Sequence, residues 1–213
     1  MESRPCGIAW SGWGSNKRRV LAALRTRLFV DRAGIVRAAA QVPSPNSDER
    51  PEGVAITLLV VHNISLPPGR FGGRAIAALF TNRLDPSADP YFATVAQSRV
   101  SAHFLIGRDG ALTQFVSCAR RAWHAGASSW RDRDQCNDFS IGVELEGTDD
   151  VPYDAVQYTV LARLTRALRL RYPIVDIVGH SEIAQGRKTD PGPAFDWARY
   201  RRLVGSPRCL TRG

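Results

Sequence analysis

Two short apolar runs, each joined to a histidine, constrain the fold of this chain more than any other feature. Residues 57–62 read TLLVVH, and residues 174–178 read IVDIV and lead through Gly179 into His180. Short β-branched runs of this kind are typical of strands that are buried on both faces, as in the parallel sheets of α/β proteins. We therefore expect His62 at the C-terminal end of one strand and His180 directly after another.

A third strand is predicted by strict alternation over residues 140–146, SIGVELE. Because strand side chains point to alternate faces, Gly142, Glu144 and Glu146 share one face. Residues 102–106 and 112–116 flank an Asp-Gly turn and predict a β-hairpin.

Apolar residues at three- and four-residue steps predict a helix that begins at Asp154 and ends at Tyr172-Pro173. Strands interleaved with helices predict an α/β fold, a single domain with a mixed β-sheet flanked by helices and the candidate site at strand ends. The Pro- and Gly-rich segment 65–91 is predicted to be a long surface excursion with one helical segment, 74–82, of the kind that borders binding sites.

The distribution of charge divides the chain. The net charge is +9, but residues 1–37 contain eight Lys or Arg and only two Asp or Glu. We expect a basic, disordered leader at residues 1–29, one catalytic domain at 30–204 and a short tail at 205–213. Because the cations gather in the leader and not on a folded surface, the charge argues weakly for nucleic-acid binding.

The sequence contains no apolar stretch of the length that a membrane span requires and no apolar run of the signal-peptide type at its start. We expect a cytoplasmic protein whose four cysteines are free thiols, since they have no Cys-x-x-Cys spacing.

Two imidazoles and one carboxylate have the spacing of a metal site. Catalytic zinc keeps three protein ligands and leaves one position to solvent. His62 and His180 follow apolar strands, and Asp190 lies ten residues after His180. The three residues are predicted to hold Zn²⁺.

A hydrolytic site of this type also needs a proton acceptor and a cation. Glu144 is predicted to be the general base that takes a proton from the attacking water, and Glu146 competes for this role by alternation alone. Lys188 is one of two lysines in a chain with 27 arginines, and we expect it to stabilise the oxyanion of the tetrahedral intermediate. His103 is predicted to be structural, and His124 to lie on the pocket rim or behind a metal ligand.

Several long motifs resemble one family. These are residues 60–69 (VVHNISLPPG), 99–103 (RVSAH), 122–126 (AWHAG), 137–148 (NDFSIGVELEGT) and 188–193 (KTDPGP). They resemble the zinc-dependent N-acetylmuramoyl-L-alanine amidases, and among them the cytoplasmic enzymes of bacterial cell-wall recycling. The resemblance covers roughly residues 30–204.

The resemblance implies cleavage of the amide between the muramic lactyl group and L-Ala of a muropeptide, with the zinc ligands and catalytic residues named above. It also implies that Asn63, Arg99 and Trp123 line the cleft for peptide and sugar. One departure concerns Gln135, where relatives commonly have a basic residue that holds a carboxylate of the diamino acid; Arg131 or Arg133 is an alternative source of that charge.

The expected partner is a small muropeptide, with no nucleic acid and no membrane, bound by a monomer. Three alternatives stay open: a peptidoglycan-binding module without catalysis, a nucleic-acid-binding protein that acts through its leader, and a secreted autolysin.

Overall fold

Two seven-residue strands form the centre of the sheet in the computed structural model, which describes residues 27–205. They are β3 (Leu58–Ile64) and β9 (Ser140–Glu146), which run parallel and in register. The full sheet has six strands in the order β1-β5-β4-β9-β3-β10. Only the β4–β5 pair in this sheet is antiparallel, so the sheet is mixed as predicted.

The remaining strands are β1 (Ala40–Gln41), β2 (Ser47–Asp48), β4 (Phe104–Ile106), β5 (Leu112–Gln114), β6 (Arg121–Ala122), β7 (Ser129–Trp130), β8 (Arg133–Asp134) and β10 (Asp176–Gly179). The helices are α1 (Ala75–Phe80), α2 (Pro90–Val95), α3 (Ala155–Arg171), α4 (His180–Ile183) and α5 (Trp197–Val204), with a 3₁₀ turn at Cys136–Asp138.

Alternation along β9 separates the main core from the site. Ile141, Val143 and Leu145 lie in the largest apolar cluster, which is completed by α3 and α5. On the opposite face, α1 and α2 pack in a second cluster and Leu58 and Val60 lie in a third. Glu144 and His62 project from this second face because they alternate with the core residues.

The predicted hairpin and the predicted long helix are confirmed. β4 and β5 pair antiparallel around the turn at 107–111. Helix α3 begins after Asp154, whose backbone N–H donates to Gln157 Oε1 at 3.0 Å, and ends at Arg171. Strand β3 continues two residues beyond His62, so this histidine lies within the strand and not at its end.

The segment 65–91 contains α1, as predicted, but the start of α2 at Pro90 was not predicted. Pro90 stands at the first helical position, and Asp89 accepts a hydrogen bond from the N–H of Tyr91 at the N-cap. Within residues 27–205, no helix is both long enough and apolar enough to cross a membrane.

The predicted leader and tail lie almost wholly outside the described residues, so the division at 29/30 and 204/205 stays a prediction. Leu28 is already buried in the main core. Of the four cysteines, the structure describes Cys118 and Cys136, and both are buried free thiols.

Candidate active site

Three predicted metal ligands converge at one point. His62 Nδ1 lies 3.0 Å from His180 Nδ1 and 3.1 Å from Asp190 Oδ2, and His180 Nδ1 lies 3.1 Å from the same oxygen. His62 comes from β3, His180 is the first residue of α4, and Asp190 comes from the loop after α4. Within the described part of the chain, these residues form the one cluster of three or more potential metal ligands.

Close packing of the loop brings Asp190 back to His180. A Cβ at Gly179 would lie 2.7 Å from Pro191 Cδ, so only glycine at the end of β10 allows this approach. The backbone N–H of Ser181 donates to the carbonyl of Asp190 at 2.9 Å and fixes the return.

The outer nitrogens of both imidazoles have partners. His180 Nε2 lies 3.1 Å from the carbonyl oxygen of Ala125, which can only accept, so the proton is on Nε2 and the Nδ1 lone pair faces Asp190. His62 Nε2 lies 3.0 Å from His124 Nδ1. Donation from His62 to His124 leaves the His62 Nδ1 lone pair in the cluster as well.

This donor set fits a divalent metal ion. Three donors at tetrahedral positions, about 2.0–2.1 Å from zinc, are separated by about 3.3–3.4 Å, close to the observed distances. Two imidazole lone pairs and one carboxylate oxygen are also the ligand types that zinc prefers.

Burial and hydrogen bonding shift the pKa values of His62 and Asp190. Burial lowers the pKa of His62 to about 4, so the ring is neutral at pH 7. Burial alone would raise the pKa of Asp190, but the hydrogen bonds to His180 and His62 outweigh it and lower the pKa below its usual range.

Glu144 and Glu146 share a face, but their surroundings differ. Glu144 is 8% exposed, and its buried Oε2 has no hydrogen-bond partner among the described residues. Burial, and then the charge of Asp190, raise the pKa of Glu144 well above its usual range, while Lys188 opposes this shift. A raised pKa makes this carboxylate a better proton acceptor, and Glu144 lies in register with His62 on the neighbouring strand.

Glu146 instead holds two backbone segments together. Its Oε1 accepts from the N–H of Gly72 at 2.5 Å, and its Oε2 accepts from the N–H of Arg108 at 3.2 Å. Its carboxylate is therefore occupied, and the geometry favours Glu144 as the base.

Lys188 is exposed and lies two positions before Asp190 in the loop after α4. Its positive charge acts to lower the pKa of both Glu144 and His62, although burial is the largest cause of each shift. A cation in this position suits the stabilisation of an oxyanion.

Two further histidines lie beneath the ligands. His124 is 9% exposed and touches His62, so it lies behind His62 and not on the rim. His103 is fully buried, accepts from the N–H of Gly142 through Nδ1, and lies 3.1 Å from the carbonyl of Arg120 through Nε2. These contacts agree with the structural role that we expected for His103.

The residues predicted to contact substrate differ in how far their side chains are already engaged within the protein. Arg99 is exposed and has no ion pair among residues 27–205, so its guanidinium is available to an anion. Trp123 is half-buried, and its side chain contributes to the lowered pKa of Asp48. Asn63 Nδ2 donates to Asp149 Oδ1 at 2.8 Å, so its donors are partly used within the protein.

The two arginines near Gln135 are both engaged elsewhere. Arg131 Nη2 pairs with Asp176 at 2.9 Å, and the Arg133 guanidinium stacks 3.8 Å from the centre of the Phe139 ring. Which residue supplies the charge expected near position 135 stays a prediction.

Sequence reasoning did not identify Ala125 or Asn137 as site residues. Ala125 acts through its carbonyl, so its residue type carries no signal. Asn137 accepts hydrogen bonds from two backbone N–H groups. In the sequence it stands out only as a member of the motif at residues 137–148.

An α/β sheet that carries two imidazoles and a carboxylate around one point, beside a buried unpartnered glutamate, defines a hydrolase with a site suited to a metal ion. Residues 52–193 match the family model described as N-acetylmuramoyl-L-alanine amidase. The chain belongs to this family and is an N-acetylmuramoyl-L-alanine amidase.

Close relatives support this assignment over nearly their whole length. The chain is 58% identical over 173 residues to the 1,6-anhydro-N-acetylmuramyl-L-alanine amidase AmpD of Citrobacter freundii, covering 80% of this chain and 92% of that protein. It is 60% identical over 168 residues to the enzyme of the same name from Escherichia coli K12, covering 78% of this chain and 92% of that protein.

Solved structures show the same fold. A crystal structure of a selenomethionine derivative of AmpD superposes with a TM-score of 0.81 at 57% identity, covering 84% of this chain and all of that chain. The amidase AmiD from E. coli, solved with the substrate anhydro-N-acetylmuramic acid-L-Ala-D-gamma-Glu-L-Lys, gives 0.51 at 28% identity, covering 85% of this chain and 68% of that chain.

Proposed function

We propose that this chain is a zinc-dependent amidase that acts on the amide between anhydro-N-acetylmuramic acid and L-Ala in free muropeptides of cell-wall recycling. The names of its relatives and the substrate in the AmiD structure support this substrate class. The observation that carries the proposal is the cluster of His62, His180 and Asp190 donor atoms beside the unpartnered Oε2 of Glu144.

His62, His180 and Asp190 would hold Zn²⁺, and the bound ion would activate water and polarise the substrate carbonyl. Glu144 takes the proton from the attacking water and delivers it to the nitrogen of L-Ala. The carbon–nitrogen bond then breaks, and the products are a free lactyl carboxylate and a free amine. Lys188 stabilises the negative charge on the carbonyl oxygen while the carbon is tetrahedral.

We assign substrate recognition to Arg99, which is exposed, and to Trp123 and Asn63, which are half-buried. Arg99 offers a planar guanidinium for a carboxylate of the stem peptide. Trp123 offers an apolar face for the sugar ring. Asn63, held by Asp149, lines the cleft beside the ligand His62.

A cytoplasmic monomer fits this function. A recycling enzyme meets its substrate as a free fragment, and all proposed ligands and catalytic residues come from one chain. The buried free thiols Cys118 and Cys136 suit a reducing compartment. Cell fractionation and the molar mass in solution test the compartment and the oligomeric state.

Mass spectrometry of a purified anhydro-muropeptide incubated with the protein tests the proposal directly. We expect loss of intact substrate and appearance of the free stem peptide, no cleavage after chelation, and recovery on addition of Zn²⁺. An intact substrate under all three conditions would leave only a binding function, and cleavage unaffected by a chelator that removes all bound metal would refute the role of zinc.

A further inference from the structure

One side-chain oxygen lies behind both histidine ligands. Asn137 Oδ1 accepts hydrogen bonds from two consecutive backbone N–H groups, that of His124 at 3.1 Å and that of Ala125 at 2.9 Å. The two residues that it holds are the ones that receive the outer nitrogens of His62 and His180. We propose that Asn137 is a positioning residue that orients both imidazole ligands of the metal site.

The path from Asn137 to each ligand is short. Through His124, the amide oxygen sets the position of the Nδ1 atom that accepts from His62 Nε2 at 3.0 Å. Through Ala125, it sets the position of the carbonyl that accepts from His180 Nε2 at 3.1 Å. A shift of this two-residue segment therefore turns both rings together.

Asn137 is itself fixed from behind. Arg50 Nη1 donates to the carbonyls of Asn137 at 3.0 Å and Asp138 at 2.7 Å, and Arg50 Nη2 donates to the carbonyl of Ser140 at 2.8 Å. These bonds tie the 3₁₀ turn that carries Asn137 to the start of β9. The amide oxygen thus belongs to a rigid part of the sheet framework.

Arg187 also holds the segment that contains Ala125. Arg187 Nη2 donates to the carbonyl of Ala125 at 2.7 Å and to that of Ala127 at 2.6 Å. Arg187 therefore shares the Ala125 oxygen with His180, but it is exposed and attached to the loop that carries Asp190. Asn137 supplies the interior support and acts on both ligands.

Removal of the Asn137 amide oxygen is therefore expected to disturb the orientation of both imidazoles. Without the amide oxygen, two N–H groups lose their acceptor, and the segment moves to satisfy them elsewhere. Groups that orient metal ligands typically contribute 10- to 100-fold to metal affinity. We expect Asn137→Leu, which keeps the branching and the number of heavy atoms but removes the acceptor, to weaken Zn²⁺ binding by roughly this factor.

The inference rests on the proposed zinc function, so the test measures metal binding apart from turnover. Zn²⁺ affinity is measured by competition with a chromophoric chelator, ligand geometry by the visible spectrum of the Co²⁺-loaded protein, and stability by the melting temperature of the metal-free protein. Asn137→Asp keeps the accepting oxygen and is expected to stay near the wild-type affinity and spectrum, whereas Asn137→Leu changes both.

Thr165→Val is the matched control for lost stability. Thr165 Oγ1 and the Tyr200 hydroxyl form a buried 2.7 Å hydrogen bond between α3 and α5, on the other side of the sheet. This variant is expected to melt earlier with unchanged Zn²⁺ affinity. Asn137→Ser, which shortens the acceptor, replaces the leucine variant if that protein does not fold and is expected to change affinity in the same direction.

Wild-type affinity and an unchanged Co²⁺ spectrum in Asn137→Leu would overturn the inference, as would an equal loss of affinity in Thr165→Val. If the wild-type protein binds Zn²⁺ and the Asn137 variants change affinity and spectrum as expected, but the wild type leaves the muropeptide intact, the proposed function fails and the positioning role stands. If the wild-type protein does not bind Zn²⁺, both fail.

Discussion

Glu144 and His62 are register partners on the adjacent parallel strands β9 and β3. Their side chains leave the same face of the sheet, and neighbouring strands are separated by about 4.8 Å. The proposed base and one proposed metal ligand are therefore fixed relative to each other by the sheet itself. His180, Asp190 and Lys188 complete the site from α4 and the loop that follows it.

The first prediction concerns the proposed base. We expect Glu144→Gln to reduce kcat roughly 10²- to 10⁴-fold, because the amide cannot take the proton from water. Its Zn²⁺ content should equal that of the wild type, since Glu144 is not one of the three clustered ligands. Steady-state hydrolysis of an anhydro-muropeptide and metal analysis of the same sample check both points.

Glu146→Gln is the matched control on the same strand face. Its carboxylate is occupied by the N–H groups of Gly72 and Arg108. We expect a lower melting temperature with kcat within a few-fold of the wild type, since an exchange of this kind costs about 1–2 kcal/mol of stability. If Glu146→Gln were inactive and Glu144→Gln active, Glu146 and not Glu144 would be the general base.

The second prediction concerns the space that Gly142 leaves for His124. A Cβ at position 142 would lie 2.4 Å from His124 Cγ, below any normal contact. We expect Gly142→Ala to push the ring away from His62, to cost about 1–3 kcal/mol by overpacking, and to weaken Zn²⁺ binding as well. Thermal unfolding and chelator competition measure these effects.

Gly107→Ala is the control for that clash. Its added Cβ would approach the side-chain oxygen of Asp109 at 3.0 Å, an exposed group that can move. We expect near wild-type Zn²⁺ affinity in this variant. If Gly142→Ala also retained wild-type affinity, the contact between His124 and His62 would have no influence on the metal.

The third prediction concerns the stem peptide. Gln135 is neutral, and both Arg131 and Arg133 are engaged with Asp176 and Phe139. If a basic side chain at position 135 holds the carboxylate of a diamino acid, Gln135→Arg should lower KM for muropeptides with that carboxylate and leave those with L-Lys unchanged. A change of KM that is equal for both substrates would contradict this role.

Periodicity predicted the elements on which the site is built. The alternation in residues 140–146 identified β9 without error in its bounds, because one face is buried against α3 and the other carries Gly142 and two glutamates. The grouping of His62, His180 and Asp190 was predicted from residue types close to apolar strands, and the structure brings their donor atoms within 4.8 Å of one another.

Periodicity could not distinguish Glu144 from Glu146. Alternation assigns a face to each side chain, but the partner of Glu146 is the N–H of Gly72, which is 74 positions away along the chain. The burial of His124 was not predictable either, because it depends on the absence of a side chain at Gly142 on β9. Such contacts between distant segments are set by the tertiary structure and leave no local pattern.

The last prediction concerns the pH dependence of folding stability at Asp48, which pairs with Arg121. Asp48 lies opposite Arg121 across β2 and β6 and accepts from its Nε at 2.7 Å and its Nη2 at 2.6 Å. The Arg121 hydrogen bond lowers the pKa of Asp48, despite partial desolvation, and the Trp123 side chain adds to this. A lowered folded pKa contributes stability above the unfolded value of about 3.9, and this stability is lost as pH falls through the folded value.

We expect Asp48→Asn to lower the melting temperature at pH 7, and the difference from wild type to shrink towards pH 3. Glu49→Gln is the control: Glu49 is 78% exposed in its ion pair with Arg120, so this variant is expected to change the melting temperature little at either pH. A difference for Asp48→Asn that is the same at both pH values would show that the carboxylate charge adds nothing to the fold.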